Sequence, residues 1–308
     1  MNTKPKKFNN FSIAVVVPTK NRHEDLSIFF DSLLKQSVLP NQIIVIDQSE
    51  ENLSEELIKK KVNTFKSSRL TYIHNKDING LVDAKNYSLR YNKSDLICFL
   101  EDDEVLEVDF LKQIVLGFNS NPLMKGCSGV ITNPPNKNYF YEFFFHLFHV
   151  GIYKDIRVGI YGYEGFKNKL ILSDKLSGGL SVWKKEIFSD ILFDLNNGLH
   201  FTEDIDFSSR VFNLFPDSLY INTDARLAHY FSKSNRFNVI DRYSKKVVEY
   251  IIYYKKRNKY FFSIFHLCWL LVGIFIESSL KSLLSLSFSP ILGYYHGLFK
   301  GLRQKIIS

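Results

Sequence analysis

Strands and helices alternate along the first hundred residues, and this alternation limits the possible fold more than any other feature of the sequence. The runs SIAVVVP, QIIVIDQS, LTYIHN and DLICFLE are short and apolar, which is typical of buried strands. The segments between them, such as HEDLSIFFDSLLKQS, place apolar residues at helical spacing. Apolar strands that alternate with amphipathic helices predict a parallel sheet that is covered on both faces.

Polar side chains follow three of these predicted strands. The segment Pro18–Arg22 follows the first strand, Asp47 follows the second, and four consecutive acids, Glu101–Glu104, follow the fourth. Ligands gather at the carboxyl ends of the strands in such sheets. Because adjacent carboxylates repel one another and lose hydration near a sheet edge, something must compensate the acid run. A divalent cation, a basic neighbour and bulk water are the three possibilities.

The chain resembles the family 2 inverting glycosyltransferases of GT-A fold. The resemblance is carried, in order along residues 12–235, by VVVPTKNR, IIVIDQS, GLVDAKNYSL with FLEDD, SGGLSVWKKEIF and TEDIDFSSR. It implies an α/β fold of the GT-A (nucleotide-diphospho-sugar transferase) type, with a Rossmann-like mixed, mostly parallel sheet. The catalytic domain would comprise residues 1–235, and a helical, membrane-associating C-terminal extension would comprise residues 236–308.

Three positions depart from the family pattern. The second strand ends in Asp47-Gln48 where two aspartates are usual, which weakens any inference about the nucleobase. Lys85 stands where arginine is commoner, and Glu101 opens a run that is more often all aspartate. None of these departures removes the acids that the chemistry needs.

The resemblance implies a metal site at the acid run. Asp103 would bind Mg²⁺ or Mn²⁺, since hard cations choose carboxylate oxygen. His229 would complete the metal shell, because a histidine downstream of the base does so in several relatives. A core histidine with satisfied hydrogen bonds is the alternative for His229, and a helix cap is the alternative for Asp103. Asp102 would face the sugar or ribose of the donor.

The resemblance also implies which residues surround the donor. Asp47 would accept hydrogen bonds from the base or ribose, and Lys85 would approach the diphosphate unless it is a solvated lysine. Gly178 and Gly179 would let the backbone pass close to the sugar, with an ordinary tight turn as the alternative. The implied donor-binding residues are Pro18, Thr19, Asn21, Arg22, Asp47, Lys85, Asp102, Gly178 and Gly179.

The segment TEDIDF would supply the catalytic base. Direct inversion at the anomeric carbon needs a base that takes the proton of the acceptor hydroxyl. The resemblance assigns this role to Asp204, with Glu203 beside it shaping the site, whereas Asp206 would be structural. Glu104 and Glu107 are predicted to lie in the first turn of a helix, where carboxylates suit the helix dipole.

Charge and cysteine content narrow the compartment and the partners. The net charge of +8 suits nucleic acid, an anionic membrane or a phosphorylated substrate. No nucleic-acid-binding module is visible, and basic residues become frequent from Lys233 to Lys259, which indicates a membrane surface. The three cysteines show no zinc spacing or disulfide framework, so we expect buried, reduced thiols. The first ten residues are too polar for a secretory signal.

Near the C-terminus, the stretch Tyr260–Ile276 contains no Asp, Glu, Lys or Arg over seventeen residues, which is the lower limit for spanning a bilayer. A basic, aromatic segment precedes it, and Pro290 interrupts the apolar segment after it. The sequence predicts peripheral attachment to the cytoplasmic face of the cell membrane. A spanning helix, a re-entrant hairpin, and a helical cap or oligomer interface are the alternatives.

Together these features predict a bacterial-type, membrane-associated glycosyltransferase of polysaccharide biosynthesis. It would transfer a sugar from a UDP- or dTDP-sugar to a lipid-linked or glycan acceptor by metal-dependent inversion, with no nucleic-acid partner. A nucleotidyltransferase is one rival, but no glycine-rich phosphate loop follows the first strand. A pseudoenzyme that only binds a nucleotide-sugar is the other rival, and the intact Asp103 and Asp204 argue against it.

Overall fold

The computed structural model describes residues 11–52, 54–63, 68–134, 139–154, 165–232, 237–257 and 261–307. These residues fall into two units. The first draws on Met1–Asn133, Ile160–Phe193 and Phe207–Ser234, and the second on Pro134–Gly159, Asp194–Asp206 and Asn235–Ser308. The basic N-terminal tail and the predicted domain boundary at residue 235 lie outside the described residues, so the boundary stays a prediction.

Within the described residues, the first unit is built on a nine-stranded sheet. The strands are β1 (Ile13–Thr19), β2 (Gln42–Asp47), β3 (Arg69–His74), β4 (Leu96–Leu100), β5 (Glu104–Leu106), β6 (Gly126–Ile131), β7 (Leu170–Ser173), β8 (Leu180–Lys184) and β9 (Leu219–His229). Its helices are α1 (His23–Leu33), α2 (Glu55–Asn63), α3 (Leu81–Ser88) and α4 (Phe110–Ser120). Each predicted strand and helix of the first hundred residues forms. Helix α1 ends at Leu33, before its predicted end at Ser37, and α3 ends at Ser88. The end of the predicted second helix, residues 64–65, lies outside the described residues.

The strand order in the sheet is β3-β2-β1-β4-β8-β6-β9-β5, and β7 pairs with β9. The first four strands are mutually parallel where they pair, and β8 runs antiparallel to both β4 and β6. Strands β1, β2 and β4 are buried at every position, which explains why their sequences are continuously apolar. The predicted mixed α/β fold, with its first four strands parallel, is confirmed.

The prediction that Glu104 and Glu107 lie in the first turn of a helix is wrong. Glu104 begins β5, opposite His229 of β9, and α4 begins only at Phe110. Glu107 lies between these elements, with Oε1 3.5 Å from Nε of Arg226. The short strand forms because β9 offers it a pairing edge, and it turns Glu104 into the sheet, where it is 1% exposed.

The second unit is helical. It contains α5 (Tyr139–Phe148), the first turn of α6 (Glu203–Leu214), α7 (Val239–Lys256), α8 (Phe261–Leu284) and α9 (Ser289–Arg303). Helices α7, α8 and α9 share a core that includes Tyr250, Ile251, Leu270 and Tyr294. The C-terminal segment predicted to be helical therefore forms helices that pack on one another.

Three glycines bring α9 against α7. A Cβ atom at Gly293 would lie 2.5 Å from the carbonyl oxygen of Ile240, and one at Gly297 would lie 2.5 Å from that of Ser244. At Gly301 it would lie 2.7 Å from Cδ1 of Ile251. Because no larger residue fits at this spacing, the three glycines form a contact stripe along α9.

Among the described residues, one segment, Ser263–Leu284, is long and apolar enough to cross a membrane by length and composition. Only 28% of its most apolar window is buried within the protein. Cys98 and Cys127 are buried as predicted, but Cys268 of the same helix is exposed. The prediction of a buried thiol is therefore wrong for Cys268, because its helix turns that face away from the core.

Candidate active site

The carboxyl ends of β1 and β4 place the first polar cluster. These strands are parallel neighbours, so the residues that follow them lie at the same edge of the sheet. The Thr19 hydroxyl donates to Oδ2 of Asp102 at 2.6 Å, and Arg22 Nη1 donates to Oδ1 at 3.0 Å. Burial raises the pKa of Asp102 to about 6, although Thr19 and Arg22 oppose this rise. Both oxygens of Asp102 are thus held in a fixed orientation.

A second cluster joins the acid run to the end of β9. Nε2 of His229 lies 3.0 Å from Oδ1 of Asp103 and 3.2 Å from Oε2 of Glu101. Burial acts to lower the pKa of His229, but hydrogen bonds to Asp103 and Glu101 and the charge of Glu101 raise it to about 10. The two carboxylates therefore create a position that favours positive charge.

The donor set of this cluster fits a divalent metal ion. One ligand atom from each of Glu101, Asp103 and His229 can be chosen so that all three lie within 4.8 Å of one another. Two carboxylate oxygens and an imidazole nitrogen suit Mn²⁺ or Mg²⁺. The structure brings together the two predicted ligands, Asp103 and His229, and it adds Glu101, whose place in the sequence shows only a departure from the family pattern.

Backbone groups hold the acid run in place. Ser232 N–H donates to Oδ2 of Asp103 at 2.6 Å, and Tyr230 N–H donates to the carbonyl oxygen of Asp103 at 2.9 Å. Burial would raise the pKa of Asp103, but His229, Ser232 and Arg22 hold it below its usual value. Glu101 N–H donates to Oε2 of Glu104 at 3.1 Å. Burial, followed by the charge of Glu101, raises the pKa of Glu104 well above its usual range.

The turn after β2 is also tightly bonded. Asp47 is fully buried, where Oδ1 accepts from Ser49 N–H at 2.9 Å and Oδ2 accepts from the Tyr72 hydroxyl at 2.6 Å. A base or ribose at Asp47 would share these oxygens with both groups. Asn21, whose φ is 55°, donates its N–H to the Ser49 hydroxyl at 2.7 Å. The turns after β1 and β2 are thereby linked, and Tyr72 is a partner of Asp47 that the sequence did not identify.

Lys85 and the two glycines meet inside the first unit. Lys85 is 1% exposed, so it is not the solvated lysine of the alternative interpretation. Its Nζ donates to the carbonyl oxygen of Gly178 at 3.2 Å and lies 5.1 Å from the ring centre of Phe193. A Cβ atom at Gly179 would lie 2.5 Å from Oε1 of Glu101. The space beside Gly179 is therefore filled by the side chain of Glu101, which belongs to the cluster with Asp103 and His229.

The predicted base segment lies at the start of α6, in the second unit. Glu203 and Asp204 occupy the first helical turn, and Oδ1 of Asp204 accepts from the N–H of Ile205 at 2.8 Å. Asp206 is 2% exposed, with Oδ1 2.5 Å from Nζ of Lys256. The buried ion pair agrees with a structural role for Asp206, and Lys256 is a partner that sequence reasoning missed.

Comparison with known proteins identifies relatives. The model of glycosyl transferase family 2 matches residues 14–192. The UDP-Glc:α-D-GlcNAc-diphosphoundecaprenol β-1,3-glucosyltransferase WfgD of Escherichia coli is 26% identical over 127 residues, 41% of this chain and 49% of that protein. The match thus spans about half of WfgD. An uncharacterized glycosyltransferase of Haemophilus influenzae is 22% identical over 241 residues, 78% of this chain and 75% of that protein.

Solved structures resemble the fold over nearly the whole chain. The mannosyltransferase PcManGT from Pyrobaculum calidifontis, in complex with GDP-Man and Mn²⁺, superposes with a TM-score of 0.60 at 12% identity, covering 98% of this chain and 92% of that one. TarS 1–349 of S. aureus superposes with a TM-score of 0.61 at 13% identity, covering 95% of this chain and 80% of that one. At these identities the likeness concerns the fold alone.

Proposed function

The chain belongs to glycosyl transferase family 2, and from this membership we propose that it transfers a sugar from a nucleotide-sugar to an acceptor by metal-dependent, inverting single displacement. The observation that carries the proposal is the convergence of Glu101, Asp103 and His229. These residues would hold Mg²⁺ or Mn²⁺. The bound ion would offset the charge that grows on the donor diphosphate as the glycosidic C–O bond breaks.

The protein's own side chains would orient the donor. Asp102, held by Thr19 and Arg22, would accept a hydrogen bond from the sugar or ribose in a fixed direction. Lys85 is already desolvated, so its charge would act on a nearby diphosphate with less screening than that of a surface lysine. Pro18, Asn21, Asp47, Gly178 and Gly179 would complete the donor site.

Single displacement requires a base and no covalent nucleophile. We assign the role of base to Asp204. Its carboxylate would take the proton of the acceptor hydroxyl while the oxygen of that hydroxyl bonds to the anomeric carbon. Glu203 would shape the surroundings. The buried thiol of Cys127 suits no nucleophilic role, because burial raises its pKa to about 12.

The proposed donor and acceptor rest on the chemistry of the candidate site and on the names of two similar proteins. The name of WfgD states a UDP-sugar donor and a diphosphoundecaprenol acceptor, and PcManGT binds GDP-Man with Mn²⁺. We propose a UDP- or dTDP-sugar as donor and a lipid-linked or glycan acceptor for this chain. A lipid-linked acceptor would require that the enzyme work at a membrane.

Peripheral attachment to that membrane is proposed at the turn between α8 and α9, which we call the apolar tip (residues 283–288). Its apolar side chains are strongly exposed: Leu283 72%, Leu284 85%, Leu286 95% and Phe288 79%. Lys281, less than one helical turn before Leu284, is also exposed. Exposed apolar groups with a basic residue near them favour insertion into an anionic bilayer surface.

Paired variants test the chemistry. Asp103→Ala should abolish Mn²⁺-dependent donor binding measured by calorimetry, whereas Asp109→Ala, an exposed acid at the start of α4, should not. Asp204→Asn should keep donor affinity and slow transfer by about 10²–10⁴-fold. Unchanged Mn²⁺-dependent binding by Asp103→Ala would refute the metal site. A product that retains the donor's anomeric configuration would refute single displacement, and donor binding without turnover would favour the pseudoenzyme.

Flotation with vesicles tests the attachment. The double substitution Leu284→Ser with Leu286→Ser should abolish binding to anionic vesicles, since it removes two inserted side chains. Leu123→Ser is the matched control, because Leu123 is 76% exposed but belongs to the first unit. Equal loss in both variants, or undiminished binding by the tip variant, would refute the assignment of the tip.

A further inference from the structure

Helix α7 carries two ionisable side chains, one buried and one largely buried, that both bond to the segment around the start of α6. Glu249 is 1% exposed, and the Lys256 side chain is 15% exposed. The two residues are seven positions apart, which is close to two helical turns, so they lie on the same face of α7. All of these residues belong to the second unit.

Glu249 binds the two residues that precede α6. Its Oε2 accepts from Phe201 N–H at 2.7 Å, from Thr202 N–H at 3.0 Å and from the Thr202 hydroxyl at 3.1 Å. The N–H groups at the start of a helix have no partner within the helix, and the accepting oxygen of Glu249 supplies one. Glu249 therefore acts as a cap that reaches α6 from another helix.

Lys256 binds the other side of the same turn. Its Nζ lies 2.5 Å from Oδ1 of Asp206 and 2.7 Å from Oδ2 of Asp194. Asp194 also accepts from Asn197 Nδ2 at 2.7 Å, so Lys256 bonds into a wider polar network. Glu203 and Asp204 lie between the residues that Glu249 and Lys256 hold.

From this arrangement we infer that Glu249 and Lys256 are positioning residues, which fix the first turn of α6 and so the direction in which the Asp204 carboxylate points. The inference rests on the proposed role of Asp204 as the base. The base oxygen must come within about 2.6–3.2 Å of the hydroxyl oxygen whose proton it takes, and a misplacement of about 1 Å can slow a reaction about 10²-fold. Apolar residues of similar volume often stabilise a fold as well as an ion pair such as that of Lys256 with Asp206 does, so precise placement of the turn explains this pair better than stability does.

The test separates positioning from stability. Lys256→Met should lower kcat for transfer by about 10- to 100-fold while donor Kd stays unchanged. The matched control is Lys246→Met, which removes an ion pair of the same helix, Lys246 to Glu277 at 2.8 Å, away from α6. Glu249→Met should behave like Lys256→Met, whereas the conservative Glu249→Gln, which keeps an acceptor oxygen, should recover most of the rate.

A double variant tests the alternative that Lys256 contributes only to the stability of the fold. Lys256→Met leaves the buried Asp206 carboxylate without this cation, and adding Asp206→Asn removes that charge. The double variant should regain the melting temperature of the wild type but keep the low kcat of Lys256→Met. In Glu249→Met, hydrogen-exchange measurements should show faster exchange of the amides around Phe201 and Thr202. If kcat returns together with the melting temperature, or if Lys256→Met transfers as fast as Lys246→Met, the positioning role is overturned.

Asp204→Asn is measured in the same assay so that the two proposals are tested apart. A slow Asp204→Asn with a normal Lys256→Met would overturn the positioning role and leave the base assignment intact. A normal Asp204→Asn would overturn both the base assignment and the positioning role built on it.

Discussion

Substitution of Gly179 by alanine should weaken metal binding although it replaces none of the proposed metal ligands. A Cβ atom at this position would lie 2.5 Å from Oε1 and 2.8 Å from Cδ of Glu101, and Cβ contacts below 3.0 Å are essentially never seen. The Glu101 carboxylate must therefore move by at least about 0.5 Å to leave this forbidden range. Its other oxygen, 3.2 Å from Nε2 of His229, must move with it.

The expected loss of metal affinity follows from how accurately metal ligands must be placed. Ligand distances must agree with ideal values to about 0.2 Å, so a displacement of about 0.5 Å removes Glu101 as a ligand. Changes in the groups that orient metal ligands typically weaken metal affinity by 10- to 100-fold. We expect a loss of about 10- to 100-fold for Gly179→Ala, which corresponds to about 1.4–2.7 kcal/mol of binding free energy.

Calorimetric titration with Mn²⁺ alone measures this loss directly. Gly165→Ala is the matched control, because no atom lies within 4 Å of a Cβ at Gly165, which is also in the first unit. In a Glu101→Ala background, Gly179→Ala should cause no further loss, since the side chain that it displaces is already absent. Wild-type Mn²⁺ affinity in Gly179→Ala, or an equal loss in both backgrounds, would refute the reasoning.

Three further predictions concern the donor site, pH and helix packing. Lys85→Met should remain folded and bind the donor at least about 10-fold more weakly by calorimetry, whereas Lys125→Met, which breaks a surface pair with Glu186, should bind normally. Burial raises the pKa of Glu249 to about 8 from 4.5, so the folded state binds more protons than the unfolded one. Stability should therefore fall between about pH 5 and 8, by at most about 1.4 kcal/mol per pH unit, and urea titrations should show a smaller fall in Glu249→Gln. Gly297→Ala should cost about 1–3 kcal/mol of unfolding free energy by overpacking, and a variant as stable as wild type would contradict the described contact.

The sheet and the ends of its strands could be predicted from the sequence, because strands that are buried on both faces of a sheet appear as short apolar runs. Strands β1, β2 and β4 are continuously apolar, and the polar residues after them fall at one edge whatever the later chain does. Asp103 and His229 could be named as partners only through the family resemblance, since 126 residues separate them. Their contact depends on the pairing of β5 with β9.

What could not be predicted depends on contacts between distant segments. Glu104 follows three acids and precedes a helix, so local propensity favours a helical first turn, but pairing with β9 overrides it. Gly179 gives no sign in the sequence that Glu101 occupies the space beside it. Glu249 and Lys256 lie in a basic, aromatic helix where charged residues are ordinarily solvated, and only the folded second unit shows that they are turned toward α6.

The glycine stripe on α9 has a mechanical consequence. Gly293 and Gly297 contact α7, and Tyr295 and Phe299, about half a turn away from them, are 43% and 59% exposed. A helix is stiff across its diameter, so adding a methyl group on the inner side lifts the outer side by a similar amount. The glycine stripe thereby determines how far the rings of Tyr295 and Phe299 lie from α7. A single added carbon at the contact would change how far these rings project, although it alters none of the groups that face outward.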